Sequence, residues 1–236
     1  FILGDITQQA FLESLIPNLD LDLVLHAAAY KHVPLVESNI CYSLFNNVIG
    51  LKNVAELAIK GNIEKFILIS SDKAVNPSNY MGASKRVCEL IIQYLSNSSI
   101  NTKFCSVRFG NVLGSSGSVI PLFTKQILAG GPVTVTDEKA VRYFMSIPEA
   151  SNLVLQSGAM MDQGSIYLLD MGEPVNIQEL AIKLISLHGK EACFSDPINS
   201  NQIQIIHTGL RPGEKLYEEL YLDENHMKTT HPMIFK

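Results

Sequence analysis

Ser71, Asp72 and Lys73 bring a hydroxyl, a carboxyl and an amine together directly after the apolar run Phe66-Ile67-Leu68-Ile69-Ser70. Groups of these three kinds can pass a proton in either direction, which a general acid–base step or an elimination requires. The apolar run reads as a buried parallel strand. A turn around Asn76-Pro77-Ser78-Asn79 separates it from a helix that carries a second amine, Lys85. Ligands of doubly wound α/β sheets sit just beyond the carboxyl ends of the strands. The other reading of Asp72-Lys73 is an ion pair at a strand exit, worth little to stability.

The rest of the chain supplies the frame for such a sheet. Phe1-Ile2-Leu3 reads as a strand end with Gly4-Asp5-Ile6 as its exit, followed by a helix from about Gln8 to Leu15. Asp22 to His26 is the next buried strand. Ala27-Ala28-Ala29 after it are small enough for a ligand to lie against the backbone, whereas in a helix they would mean only close packing. Asn46 and Asn47 open a helix whose apolar positions Val48, Leu51, Val54, Ala55, Ala58 and Ile59 share a face, with Gly61 as its left-handed terminator. Asn47 would cap that helix or hold the neighbouring loop. Val87 to Leu95 continues the Lys85 helix, and Phe104 to Phe109 is another strand.

Beyond Val112 the pattern changes. Leu113 to Ser118 is a Gly/Ser loop without the Gly-Lys-Ser/Thr of a phosphate-binding loop. Val119 to Ala129 reads as a helix ended by Gly130-Gly131, and Val133 to Val135 as a short strand. Ser146 and Glu149 form a capping box for a helix to about Met160, and Asn176 with Glu179 starts another, ended by Gly189. Ile166 to Leu169 and Ile203 to Ile206 are strands, Ser195 to Asn201 has the composition of a linker, and Glu214 to Tyr221 reads as a short helix. The expected class is α/β: a Rossmann-like, doubly wound parallel sheet with a smaller α+β lobe. Residues 1–112 would form the sheet domain and 113–236 mainly the lobe, with about 140–170 returning to the core.

Composition removes several classes of function. The net charge is −5, and no block of Lys and Arg exceeds the Lys85-Arg86 pair. That argues against nucleic-acid binding by phosphate neutralisation. Cys41, Cys88, Cys105 and Cys193 fit no zinc spacing and read as reduced core thiols of a cytoplasmic protein. No cluster suggests a metal. No run approaches the ~18 apolar residues of a membrane span.

Several segments together resemble the extended short-chain dehydrogenase/reductase family. They are His26-Ala27-Ala28-Ala29-Tyr30-Lys31-His32-Val33-Pro34, Asn46 to Gly50, Phe66 to Arg86, Arg108 to Val112 and Leu210 to Lys215, in the family's order. More narrowly, the chain resembles the UDP-N-acetylglucosamine 4,6-dehydratases of bacterial polysaccharide biosynthesis. The resemblance implies NAD or NADP as cofactor and a UDP-sugar substrate. Its reaction is a lyase cycle: oxidation at C4, loss of water across C5 and C6, and return of the hydride to C6. Asp72 would be the acid and Lys73 the base. Both roles run against the ordinary pKa values of a carboxyl and an amine, ~3.9 and ~10.4, so a dry pocket is implied.

Residue by residue, the resemblance places Ser71, Asp72, Lys73, Met81 and Lys85 in catalysis. It places Asp5, Ile6, Ala27, Ala28, Ala29, Lys31, Asn47, Ser70 and Lys85 at the cofactor, and His32, Asn111, Arg142, Arg211 and Glu214 at the substrate. Guanidinium groups such as those of Arg142 and Arg211 match phosphate oxygens in a fork. The chain departs from the general family pattern at Met81, four residues before Lys85, where most members have Tyr. A thioether cannot act as that base. Tyr80 points ~140° away from Lys85 around a regular helix. The large, membrane-anchored dehydratase subgroup shares this Met. Asp72-Lys73 favours a dehydratase over a 4-epimerase, whose members usually carry small residues there; a non-catalytic nucleotide-binding module is the third reading.

No Gly-rich turn suited to a pyrophosphate occurs, and the chain begins at Phe1 within what reads as a fold. It therefore reads as a fragment that lacks the first strands. The resemblance implies a homo-oligomer facing the cytoplasm, with membrane contact only through a region before Phe1. Residues 1–236 alone are expected to be inactive and to bind NAD weakly. Calorimetry against the full-length protein checks this, and equal NAD affinity in the two would contradict it.

Overall fold

A computed structural model of the chain describes residues 1–115, 117–220 and 227–236. In chain order the elements begin with α1 (Gln9–Leu15), β1 (Leu23–His26), α2 (Val33–Ser38) and α3 (Ile40–Leu44). A π-helical turn, Phe45–Gly50, joins α3 to α4 (Leu51–Lys60). Next come β2 (Lys65–Ile69), a 3-10 turn (Asp72–Ala74), α5 (Tyr80–Ser98), β3 (Lys103–Arg108) and β4 (Asn111–Val112). α6 (Val119–Leu128), β5 (Val133–Val135), β6 (Val141–Arg142), β7 (Phe144–Met145) and α7 (Ile147–Ala159) follow. The remainder is β8 (Ser165–Leu169), β9 (Val175–Asn176), α8 (Ile177–Leu187), β10 (Glu191–Cys193), β11 (Gln202–His207) and β12 (Ile234–Phe235).

These elements divide into two compact units. The first comprises Phe1–Phe109, Ser151–Asp170 and Glu219–Lys236; the second comprises Gly110–Ala150 and Met171–Glu218. The C-terminal stretch thus joins the first unit rather than the lobe in which the sequence reading placed it, and residues 140–150 belong to the second.

The first unit is built on a five-stranded sheet in the order β1-β2-β3-β8-β12. Its first four strands run parallel and β12 is antiparallel to β8. Side chains alternate between the two faces of each strand. Phe66 and Leu68 of β2 join a core with Leu51, Val54 and Ala58 of α4, and with Cys88, Ile92 and Leu95 of α5. Ile67 points to the other face. A Cβ on Gly158 of α7 would come within 2.5 Å of it, so that face too is covered by a helix. Helices on both faces of a parallel sheet make this a Rossmann-like α/β fold.

The second unit carries a three-stranded parallel sheet, β10-β11-β5, and two short ladders, β4-β7 and β6-β9. Its core joins Phe123 and Ile127 of α6 with Val133, Val135, Ile203 and Ile205 of the sheet and Ala181 and Ile185 of α8. The expected caps are present. Ser146 and Glu149 exchange backbone-to-side-chain bonds, and Asn176 Oδ1 accepts from Glu179 N at 3.0 Å.

Four expectations need correction. Phe1-Ile2-Leu3 is exposed coil and pairs with no strand among the described residues. Gly61 caps α4 at φ −82°, and Asn62 takes the left-handed step at φ 52°. Residues 214–220 are bends and coil rather than a helix, while Tyr221 lies outside the described residues. Cys41 is exposed on α3 and Cys193 only half-buried, so neither is a core thiol, although Cys88 and Cys105 are buried as expected.

Candidate active site

The site is built at the exit of β2. The sheet ladder carries one residue past the strand, Ser70 N donating to Val107 O at 2.8 Å, and Asp72 N then donates to Phe109 O at 3.1 Å. Ser71 is extended and turns the chain into the 3-10 turn, its Oγ accepting from Lys73 N at 3.3 Å. Asp72 is buried. Its Oδ1 accepts three donors: Ser71 Oγ at 2.8 Å, Lys73 N at 2.8 Å and Lys73 Nζ at 3.0 Å. Its Oδ2, equally buried, accepts none. A buried carboxylate oxygen without a donor is costly unless something completes it. One oxygen is therefore saturated by the turn, and the other is buried without a donor among the described residues.

The head of α5 packs on this turn. Asn79 Oδ1 accepts from Gly82 N at 2.7 Å, and Glu37 Oε1 accepts from Tyr80 N at 2.7 Å, so two of the orphan donors of the helix start are satisfied. Gly82 is required by contact: a Cβ there would lie 2.1 Å from Lys73 O. Gly82→Ala should push the Lys73 carbonyl away and destabilise the first unit by ~1–3 kcal/mol. Urea unfolding checks this, and an unchanged midpoint would contradict it.

Met81, Lys85 and Glu89 follow at helical spacing on the buried face of α5, while Tyr80 is 45% exposed, as its angular position requires. Lys85 Nζ donates to Ile69 O at 2.7 Å. Burial holds its pKa below the ordinary lysine value, with Cys88 and Glu89 pulling the other way.

At the exit of β1, Ala27 and Ala28 are exposed and Ala29 half-buried, leaving open backbone where a flat ligand could lie. Asn47 does not cap a helix. It sits buried in the π-helical turn, a distortion common at functional sites. Its Oδ1 accepts from Tyr30 N at 2.7 Å, and its Nδ2 donates to Tyr30 O at 3.0 Å and Ser84 Oγ at 3.2 Å. It therefore clamps the β1 exit to α5. Asp5 accepts from Thr7 N and Oγ1, both at 2.8 Å, and these bonds hold its carboxyl below the usual range. Ile6 turns inward onto Gly50, where a Cβ would meet its side chain at 2.6 Å. Lys31 and His32 are exposed.

The substrate candidates Asn111, Arg142, Arg211 and Glu214 lie in the second unit. Arg142 is buried and already engaged. Nη1 donates to Val141 O at 2.7 Å and Leu216 O at 3.2 Å, Nη2 donates to Glu214 Oε1 at 3.0 Å, and Glu218 lies 3.7 Å from Nε. Residues 214–220 thus bring two carboxylates to Arg142 without forming a helix. Arg211 is exposed, and its backbone N donates to the same Glu214 at 3.3 Å. Asn111 is half-buried on β4. Among the described residues no group of His, Cys, Asp and Glu could hold a metal.

Sequence reasoning missed Gly82, Glu89 and Arg108 as individual residues. Glu89 and Arg108 had a signal: a carboxylate on the apolar face of α5 needs a buried cation, and Arg108 ends the adjacent strand.

The parallel sheet with helices on both faces is the Rossmann-like α/β fold also found in nucleotide-sugar epimerases and dehydratases of known structure. The chain belongs to the polysaccharide biosynthesis protein family, whose profile matches residues 1–236. It is 54% identical over 214 residues to the capsular polysaccharide biosynthesis protein CapD of Staphylococcus aureus, covering 90% of this chain and 34% of that protein. The UDP-glucose 4-epimerase of Rickettsia canadensis is 37% identical, over 97% of this chain and 63% of its own length. The chain thus spans only part of these relatives: about a third of CapD.

Among solved structures, Pen from Bacillus thuringiensis superposes with a TM-score of 0.87 at 35% identity, over 99% of this chain and 70% of that one. DesIV, a dTDP-glucose 4,6-dehydratase from Streptomyces venezuelae with NAD bound, shares the fold at a TM-score of 0.80 and 21% identity, over 94% and 70%.

Proposed function

We propose that this chain is the catalytic part of an NAD-dependent 4,6-dehydratase acting on a UDP-N-acetylhexosamine, UDP-N-acetylglucosamine in the first instance. It would serve bacterial surface polysaccharide synthesis from the cytoplasmic side of the membrane, as a homo-oligomer. The family, and relatives and neighbours that are nucleotide-sugar epimerases and dehydratases, support an enzyme of this kind. Among the described residues no helix is long and apolar enough to cross a membrane. The observation that carries the reading is Asp72, with one oxygen saturated and the other buried and open.

The exposed backbone at Ala27 and Ala28 and the buried amine of Lys85 fit a nicotinamide dinucleotide, with Asp5 beyond them as the ribose or adenine contact. When bound, NAD supplies acceptance and return of a hydride. Oδ2 of Asp72 is positioned to take the C4 hydroxyl proton and later to hand a proton to the departing C6 hydroxyl. Lys73 Nζ is the base for C5, the proton made acidic by the neighbouring ketone. The protons balance when the Asp72 carboxylate faces an unprotonated Lys73: the C4 proton passes through Asp72 to the leaving C6 hydroxyl, and the C5 proton passes to Lys73 and back to C5 as the hydride returns to C6. Arg211 and Asn111 are the proposed substrate contacts of the second unit. Arg142 would need to exchange Glu214 for a phosphate.

Met81 takes no proton in this scheme. Met81→Leu is expected to keep most of kcat. Met81→Tyr, adding a phenol to a filled site at a cost of ~1–3 kcal/mol, should dehydrate no faster than the parent. A variant Tyr well above the parent, with Leu inactive, would show that the proton does pass through this position.

The second reading, a UDP-sugar 4-epimerase, is favoured by the Rickettsia relative. Incubating the full-length protein with UDP-N-acetylglucosamine separates the two. Loss of water supports the dehydratase, an epimer of unchanged mass supports the alternative, and no turnover supports a binding module.

A further inference from the structure

Lys85 and the Ser71–Lys73 turn come from different elements, and one carboxylate ties those elements together. Glu89 lies one helical turn after Lys85 on the same face of α5 and is wholly buried. Its Oε1 accepts from Ser70 Oγ at 2.6 Å and Arg108 Nε at 2.7 Å. Its Oε2 accepts from Arg108 Nη2 at 2.6 Å and Arg86 Nη1 at 3.0 Å. Ser70 immediately precedes the turn. Arg108 ends β3, and the next carbonyl, Phe109 O, accepts from Asp72 N. Glu89 thus joins the helix of Lys85 to both strand exits that hold Asp72. A buried ion pair adds little stability over apolar packing of the same shape. What the two-pronged arginine fork adds is fixed geometry.

We propose that Glu89 is a positioning residue for the reaction, setting Lys85 against the Ser71–Lys73 turn through Ser70 and Arg108. The inference deepens the dehydratase reading, and its kinetic arm rests on that reading.

Charged and titratable groups surround Lys85 from each packed element. They are His26 on β1, Cys88 and Glu89 on α5, and Arg108 on β3, reached through Glu89. Glu89 raises the pKa of Lys85 against the effect of burial, so removing its charge lowers it further.

The test uses Glu89→Gln and Ser70→Ala in the full-length protein, with steady-state kinetics per folded molecule and NMR titration of isotope-labelled lysine. In Glu89→Gln, kcat should fall about 100-fold with KM for UDP-N-acetylglucosamine and for NAD nearly unchanged. The Lys85 titration should move to lower pH. Ser70→Ala keeps the Glu89–Arg108 pair, so it folds even where Glu89→Gln does not. It should cost about tenfold in kcat through lost positioning and shift the Lys85 resonance. Parental kcat in the folded variants, or Lys85 signals unmoved in them, overturns the proposal. Should the unaltered protein turn over no UDP-sugar, the dehydratase reading falls and the Lys85 signals alone decide the positioning role.

Discussion

Asp72→Asn should lower kcat for water loss by ~10³-fold, within the range that a positioned acid or base contributes. Asn keeps the shape of the side chain and an oxygen for Ser71 Oγ and Lys73 N, which Oδ1 now serves. In place of Oδ2 it puts an amide that can neither take the C4 proton nor release one to C6. Lys73→Met, nearly as long, should remove water loss to a similar extent and also stop exchange of the C5 proton with solvent. Both should be silent in C5 exchange, Asp72→Asn because no ketone forms and Lys73→Met because no base is left. The measurement is kcat beside deuterium uptake at C5. Parental C5 exchange in Lys73→Met would rule out that lysine as the base.

The second large effect is on stability. His26 ends β1, buried and stacked on Phe66 at 5.9 Å between ring centroids. Burial, and secondarily the positive charge of Lys85, lower its pKa from 6.5 to about 4. Between those values the unfolded chain binds a proton that the folded chain refuses. Stability from this group is therefore complete above pH 6.5 and is lost as the pH falls toward 4, by roughly 3 kcal/mol at the acid end. His26→Gln should remove that part of the slope. Urea unfolding at pH 7 and pH 4.5, with the two proteins compared, isolates it from the carboxylates common to both. An identical pH dependence in parent and variant would show that His26 protonates freely in the folded state.

The sequence carried the parallel strands and the helix caps, because each rests on residue types at fixed local offsets. The Phe66–Ile69 run, the Ser146/Glu149 box and the Asn176/Glu179 pair are all found where their patterns place them. Two-residue strands such as β4, β6, β7 and β9 carry no period and could not be read. The end of α4 was misread by one residue because Asn, like Gly, tolerates the left-handed region. The stretch from Glu214 was misread as a helix, and its pairing with Arg142, distant in sequence, carries no local pattern. At the proposed site, Ser71, Asp72, Lys73 and Lys85 were legible as chemistry beside a strand exit. What holds them was not. The contact of Gly82 with the Lys73 carbonyl and the Glu89–Arg108 fork depend on how α5 lies on the sheet, a relation between elements that no local pattern encodes.

The central claim is dehydration through Asp72 and Lys73, and one experiment addresses it most directly. The full-length protein is incubated with UDP-N-acetylglucosamine in deuterated water and the sugar nucleotide is weighed by mass spectrometry. The account predicts a product that has lost one water and gained deuterium at C5, with neither change in Asp72→Asn. A product of unchanged mass and no deuterium, or water loss that persists at the parental rate in Asp72→Asn, would contradict it.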